Sequence, residues 1–482
     1  MQVLDQIYQT ALASPDKTAL VYNLSPISYR DFHQRITAMR RQLAELGLRP
    51  GGVAVVWVDN ILASWVLNLA LRGDGFRTMS VRTAAEIDGA ADLDVVGVFT
   101  LEAERKRVDG AILPGAARFM LTIPTPAAGE PLAPPPTTEA GGHILLTSGT
   151  TGDYKMVPFE GAFEAAIAKI AEGQLATRPA MIALFDFGLW TMMGYAGPTA
   201  VWSLGETAVI HDQAELWRIL TVEGLTQAAL TPAQLAQLMA APEGAFPRND
   251  GMELRIVAGA LSEPLYRRTV DRLTSRIITN LGSTEGGGLA QTEIKSAEDL
   301  RWHRLSPDAK FEIVDENDHP VPAGQVGQIR VPQVEGVSGY VNDADATASA
   351  FRDGFFYPGD LAMMDEQGRI ALLGRVTDVV ALGGDKLPAG PLEAALTDAL
   401  GCDVCLLSEQ GPDKGEDLHV VVETAHPIDQ ARLTAVAKTH LAKFPAIHFH
   451  VLPRLPRNHM GKVERFRLRQ TLIARAAAKT AG

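Results

Sequence analysis

Apolar residues return every three or four positions between residues 29 and 46, at Phe32, Ile36, Met39, Leu43 and Leu46. That spacing predicts an amphipathic helix. Ser28 is placed to cap its start, and Gly47 with Pro50 supplies the stop. An apolar run at residues 53–58 reads as a strand, residues 61–71 as a second helix, and residues 78–81 as another strand. Strand alternating with helix predicts βαβ units and a mostly parallel, helix-covered sheet. The proline-rich residues 124–136 form a connection to a further apolar run, Ile144 to Leu146, and a helix-like stretch begins near Phe159. From residues 374–378 onward the pattern turns short and mixed: helix near 391–400, strands at 404–407 and 418–422, helix near 430–441, strand at 447–452 and a last helix from about 464. The expected fold class is α/β, with a large domain at 1–374 and a small α+β domain at 375–482.

Composition narrows the function classes. A chain of 482 residues exceeds one core, and 46% hydrophobic with 21% charged residues describes an ordinary soluble globular protein. A formal net charge of −13 argues against a nucleic-acid partner, which would demand clustered Lys and Arg. The first ten residues carry Asp5 and no basic start before a long apolar core, so a signal peptide is not expected. The apolar stretch at 61–71 is interrupted by Asn68 and too short for a bilayer, so no membrane is expected either. Two cysteines cannot build a disulfide framework, and a reducing cytoplasm is the expected location. Cys402 and Cys405 have redox spacing, but Leu406-Leu407 behind them predicts a buried strand. His448 and His450 alternate along a strand and share a face, but without a further clustered ligand a zinc site is not expected. Met192-Met193 beside Trp190 reads as pocket wall or core.

The chemistry is concentrated in Leu146-Thr147-Ser148-Gly149-Thr150-Thr151-Gly152-Asp153-Tyr154-Lys155. Its two glycines permit close backbone approach to a ligand. Backbone N–H groups, the hydroxyls of Ser148, Thr150 and Thr151, and the charge of Lys155 suit a polyphosphate. It is not a Walker A loop, because Gly149 and Gly152 are too close and Met156 follows Lys155. Alone, the segment could equally be a solvated turn.

Further motifs follow in order: Gly282-Ser283-Thr284-Glu285, residues 324–340, Tyr357-Pro358-Gly359-Asp360, Leu373-Gly374-Arg375, Gly383-Gly384-Asp385-Lys386, and Leu455-Pro456-Arg457-Asn458 leading to Gly461-Lys462. The ordered set resembles the adenylate-forming superfamily, which comprises acyl- and aryl-CoA synthetases, peptide-synthetase adenylation domains and luciferases. The resemblance implies a large multi-sheet N-terminal domain and a small mobile C-terminal lid hinged at Thr377. It implies an ATP and AMP site at Thr147, Ser148, Gly149, Thr150, Thr151, Gly152, Lys155, Ala258, Gly259, Ala260, Asn280, Leu281, Gly282 and Ser283. By the same resemblance Thr284 bonds the α-phosphate, Glu285 binds magnesium, Asp360 and Arg375 hold the ribose, and Lys462 bridges carboxylate and α-phosphate. The acid pocket falls at Phe185, Asp186, Phe187 and Trp190, and Gly383 with Gly384 lines the thiol tunnel.

The implied activity is an ATP-dependent acid–thiol ligase using magnesium and CoA on a small carboxylic acid, with assembly as a homodimer open. The Gly383 to Lys386 turn, Pro158 and the bulky Phe185, Phe187 and Trp190 favour an aromatic or compact acid. Asp186 could bond an amino or hydroxyl substituent of that acid, or pair with a protein donor. The alternatives are a stand-alone enzyme loading a separate carrier protein, and a weakened nucleotide-binding or regulatory homologue. The last is motivated by departures from the pattern: Tyr154 and Met156 flank Lys155, Leu281 stands where an aromatic ring usually stacks on adenine, Thr377 holds the hinge position, and Ala381 replaces a frequent lysine.

Overall fold

The Ser28 hydroxyl accepts from the Asp31 amide and starts the helix Tyr29–Ala44, whose Phe32, Ile36, Met39 and Leu43 are buried. Asn60 caps the next helix, Ile61–Gly73, in the same way. That helix is buried on every side, which explains why apolar residues occupy every face of it. This computed structural model describes residues 2–105, 116–125, 131–135, 141–148, 154–175, 181–185, 187–306, 309–382, 385–410, 416–425, 428–458 and 461–480. Residues 149–153 with Gly149, Thr150, Thr151 and Gly152, as well as Asp186, Gly383, Gly384 and part of the proline-rich connection, lie outside the described residues. The side chains of Ser148, Phe185 and Asp385 do too.

The architecture is mixed α/β with several sheets, as the periodicity predicts. One six-stranded sheet runs Arg118–Leu121, Val95–Leu101, Val53–Val56, Arg77–Ser80, His143–Ser148, Tyr154–Phe159. It is parallel except for its last pair. That pair corrects one expectation: Tyr154–Phe159 is a strand, and helix begins only at Gly161. Met156, Val157 and Phe159 are buried against the neighbouring strand, and Thr147 lies opposite Lys155. An eight-stranded sheet contains Met181–Phe185, Thr207–His211, Gln227–Leu230, Glu253–Ile256 and Ile277–Ser283, which run parallel to one another, and Gly287–Glu293, antiparallel to the last of these. A third, antiparallel sheet carries Asp360–Met364 beside Ile370–Arg375.

After Arg375 the chain forms the ribbon Val379–Leu382 with Asp385–Pro388, then a three-stranded sheet of Val404–Gln410, Glu416–Glu423 and Ala446–Leu452. Ala389–Leu400 and Gln430–His440 cover one face, and Arg465–Thr480 contributes Leu468 and Leu472 to the other. Cys405 is buried on that second face, and burial followed by the nearby Glu393 carboxylate pushes its thiol up to about 12. Such a thiol carries almost no thiolate at neutral pH. His448 and His450 do share a face, and there they meet His419: His419 Nδ1 and His450 Nε2 are 2.9 Å apart, and His448 stacks on the His419 ring. Among the described residues no group of three His, Cys, Asp or Glu is arranged to hold a metal ion. No helix among them is long and apolar enough to cross a membrane.

Buried imidazoles give the fold an acid limit. His33 packs on Tyr8, and desolvation lowers its pKa to about 4. His143 is likewise lowered to about 3 and His303 to about 4. A folded pKa below the unfolded value of about 6.5 means the unfolded chain binds more protons in that interval. The contribution is therefore complete above about pH 6.5 and is lost as pH falls toward the folded pKa. His33→Phe keeps a ring against Tyr8 but removes the titration. Between pH 4 and 6.5 its stability should fall less steeply than wild type, by roughly 1.4 kcal/mol per pH unit. Denaturant unfolding across that range measures the slope, and parallel curves would refute the assignment.

Candidate active site

Carboxyl ends of adjacent parallel strands form crevices suited to ligands. Here Glu253–Ile256 leads into Ala258, Gly259 and Ala260, and Ile277–Ser283 carries Asn280, Leu281, Gly282 and Ser283. Gly282 must lack a side chain, because a Cβ would lie 2.4 Å from the Gly287 carbonyl oxygen. The close pairing turns the chain sharply through Thr284 and Glu285, with the Gly286 amide donating to Ser283 Oγ at 2.9 Å. Ala258 has φ +63°, a strained value for a residue with a Cβ. The Asn280 Oδ1 is buried with no hydrogen-bond partner among the described residues. An orphaned acceptor beside Leu281 fits the amino group of adenine, though Leu281 offers no aromatic face to stack on it.

Glu285 is 7% exposed. Its Oε1 accepts from the Tyr340 hydroxyl at 2.9 Å and from Thr147 Oγ1 at 3.3 Å. Among the described residues Oε2 receives no such bond. A single buried carboxylate with one oxygen uncommitted suits a hard divalent cation sharing its remaining positions with phosphate and water. The Lys155 ammonium lies 4.6 Å from the centre of the Tyr340 ring. Tyr340 ends the motif at residues 324–340, but motif reading gave it no role at the site. Its own signal in the sequence is a hydroxyl-bearing ring directly after Gly339.

Asp360 and Arg375 face each other across neighbouring strands and form an ion pair of 3.1 Å. Arg375 also donates to the Pro358 carbonyl. Burial raises the Asp360 pKa, Asp378 adds repulsion, and the Arg375 and Lys462 charges oppose the shift. Lys462 lies in the turn that precedes the helix Arg465–Thr480. Its turn is fixed by Asn458, which accepts from the Gly461 amide through its carbonyl and from the Lys462 amide through Oδ1. Arg457 donates to the Gly461 carbonyl at 2.9 Å and pairs with Glu423 at 2.8 Å. Lys462 keeps solvent access, yet surrounding protein lowers its pKa by desolvation, followed by Arg375 repulsion. Asp360, Glu285 and Asp378 oppose that lowering. The crevice of about 590 Å³ beside this turn lies between Thr231, Ala233 and Gln237 on one side and Pro456, Asn458 and Gly461 on the other.

The expected acid-pocket residues divide. Phe187 is 5% exposed and shares a buried cluster with Val257 and Ala258. Trp190 is half-buried. Its ring folds back over Gly188, where a Cβ would lie 2.0 Å away, and packs with Tyr154 and Val341. The Arg82 guanidinium covers it at 4.7 Å. Its carbonyl accepts from the Leu146 amide, so Trp190 supports the strand His143–Ser148. Thr377 is exposed, with its hydroxyl 3.3 Å from Asp378.

A model of the AMP-binding enzyme family matches residues 7–341. Malpinin synthetase of Mortierella alpina is 26% identical over 94% of this chain, which spans only 6% of that protein's length. The salicylyl-CoA synthase / salicylate adenylyltransferase of a Streptomyces species is 24% identical, covering 98% of this chain and 93% of its own. The solved structure of ATP-bound MatB from Rhodopseudomonas palustris superposes with a TM-score of 0.82 at 22% identity, over 97% of this chain and 98% of that one. At that identity the likeness speaks for the fold.

Gly461 decides how closely the Lys462 turn docks. Its φ is +79°, and a Cβ there would lie 2.6 Å from the Ala233 side chain. Gly461→Ala should therefore loosen the contact, raising amide hydrogen exchange in the Pro232–Met239 helix and in the turn by roughly tenfold. Adding Ala233→Gly should restore part of the protection by relieving the overlap. Unchanged exchange in the single variant would show that the contact is not limiting.

Proposed function

The chain belongs to the family of AMP-binding enzymes, the adenylate-forming ligases, and on that premise we propose an acid–thiol ligase that forms acyl-AMP and then acyl-CoA. A carboxylate resists attack because the nucleophile must add charge to an anion. Adenylation removes that obstacle. One carboxylate oxygen attacks the α-phosphorus of ATP, the bond to the bridging oxygen breaks, and pyrophosphate leaves. The thiol sulfur then attacks the acyl carbon, its proton passes to solvent, and the carbon–oxygen bond to AMP breaks.

Residues 1–374 supply the nucleotide and acid sites in this reading, and residues 375–482 form the lid. The observation that carries it is the Asp360–Arg375 ion pair of 3.1 Å, close enough to the Lys462 turn for Asp360 and Lys462 to feel each other's charge. Asp360 and Arg375 suit the ribose, and Thr147, Thr284 and Lys155 offer donors to phosphate oxygens. Glu285 would hold magnesium, whose charge when bound offsets that of the phosphates. Lys462 neutralises the approaching carboxylate and α-phosphate, which lowers the cost of bringing two anions together.

An aromatic or compact acid is the proposed substrate. Phe187 supports it, and so does the relative named for salicylate. That relative also carries an adenylyltransferase name, which favours as second reading the loading of a separate carrier protein. A library of acids assayed for pyrophosphate release, with and without CoA, tests both. Acid-dependent pyrophosphate with CoA consumption supports the ligase, and pyrophosphate without CoA use favours the carrier. Nucleotide binding without turnover would instead indicate a regulatory homologue.

Lys462→Ala should abolish acyl-adenylate formation, on the order of a hundredfold or more in rate, while ATP still binds. Thioester formation from supplied acyl-AMP should persist. Pyrophosphate production equal to wild type would refute the role of Lys462.

A further inference from the structure

The buried carboxylate and the phosphate-loop lysine present a problem of opposite charge. Glu285 and Lys155 approach the same region, yet no ion pair joins them among the described residues. A direct pair would satisfy each with the other and withdraw both from a ligand. The Tyr340 side chain stands between them. Its hydroxyl donates to Glu285 Oε1 at 2.9 Å, and its ring face meets the Lys155 ammonium at 4.6 Å.

The ring is held from behind. Phe351 packs edge-on against it at 5.5 Å between centroids. The Tyr340 amide donates to Thr347 Oγ1 at 2.9 Å, and the Thr347 hydroxyl donates to the Asp343 carbonyl at 2.6 Å. The next residue, Val341, donates its amide to the Met156 carbonyl, one position beyond Lys155. Tyr340 is thus tied to the lysine's own strand through backbone and to the glutamate through its hydroxyl. A phenol is protonated at neutral pH, so the hydroxyl donates to the carboxylate.

We propose that Tyr340 is a positioning residue for adenylation: it orients Glu285 for a divalent cation and seats Lys155 on its ring, keeping the two charges apart. The inference rests on the functional reading above. It assigns separate tasks to the two parts of one side chain, and the parts can be removed separately.

Tyr340→Phe keeps the ring and loses the hydroxyl. The magnesium concentration needed for half-maximal ATP binding should rise about tenfold, with little change in ATP affinity at saturating magnesium. Tyr340→Leu removes both tasks, and ATP affinity at saturating magnesium should also fall, by roughly fivefold. Titration calorimetry with ATP across a magnesium series measures both quantities without turnover, and thermal midpoints report the fold. The expected pattern is a magnesium defect alone for Phe and a double defect for Leu. Equal, magnesium-independent losses in both variants with lowered midpoints would reduce Tyr340 to a structural residue. Binding curves that match wild type would also overturn the proposal. Wild-type protein that binds no ATP, or binds it without regard to magnesium, would instead overturn the functional reading and this inference with it.

Discussion

A buried guanidinium sets the frame in which this site is built. Arg72, 1% exposed, donates to the Gly141 carbonyl at 2.7 Å, to the Tyr195 hydroxyl at 2.7 Å and to both oxygens of Glu164. A charge removed from water is tolerated only when every donor finds an acceptor, so the partners cannot drift independently. They lie on the helices Ile61–Gly73, Gly161–Leu175 and Met192–Ser203 and on the chain entering the strand His143–Ser148. Tyr195 stacks on His143 at 3.7 Å, and the His143 ring nitrogens lie 2.7 Å from Thr78 Oγ1 and 2.8 Å from the Leu189 carbonyl. The network fixes where the strand His143–Ser148 starts, and with it where Thr147 ends up.

Charge distribution carries the same logic into the crevice. Lys462 feels the charges of Arg375, Asp360 and Glu285, Asp360 feels those of Arg375 and Lys462, and neither the acid at 360 nor the lysine at 462 keeps its solution pKa. Anchoring differs on the two sides. Arg375 and Asp360 are locked by strand register, whereas Lys462 depends on a turn seated against Ala233 through Gly461. That turn belongs to a separate packing unit, the one built on the three-stranded sheet. Arg465 keeps that unit coherent by pairing with Glu393 and Asp378 and donating to the Leu406 carbonyl.

Much of the fold was legible along the chain. The helix at 29–44 announced itself by its apolar spacing and its Ser28 cap. The change of pattern after Arg375 marks where the ribbon and three-stranded sheet begin. The strand Tyr154–Phe159 was not legible, because its antiparallel partner rather than its own periodicity makes it a strand. The contacts of Trp190 are not legible for a related reason. Ring size suggests a pocket wall, and only the fold sets the half-buried ring over Gly188 and under the Arg82 guanidinium.

The sequence by itself determined the periodic elements and the ordered motifs, since both depend on residues near one another along the chain. Only the tertiary structure decided which groups meet. Thr147 reaches Glu285 across 138 positions, Tyr340 reaches it across 55, and Arg72 finds Tyr195 across 123. Hydrogen bonds and ion pairs act over a few ångströms in space and leave no periodic trace along the chain. The task of Tyr340 could therefore be seen only once burial had brought its hydroxyl to a carboxylate and its ring to a lysine.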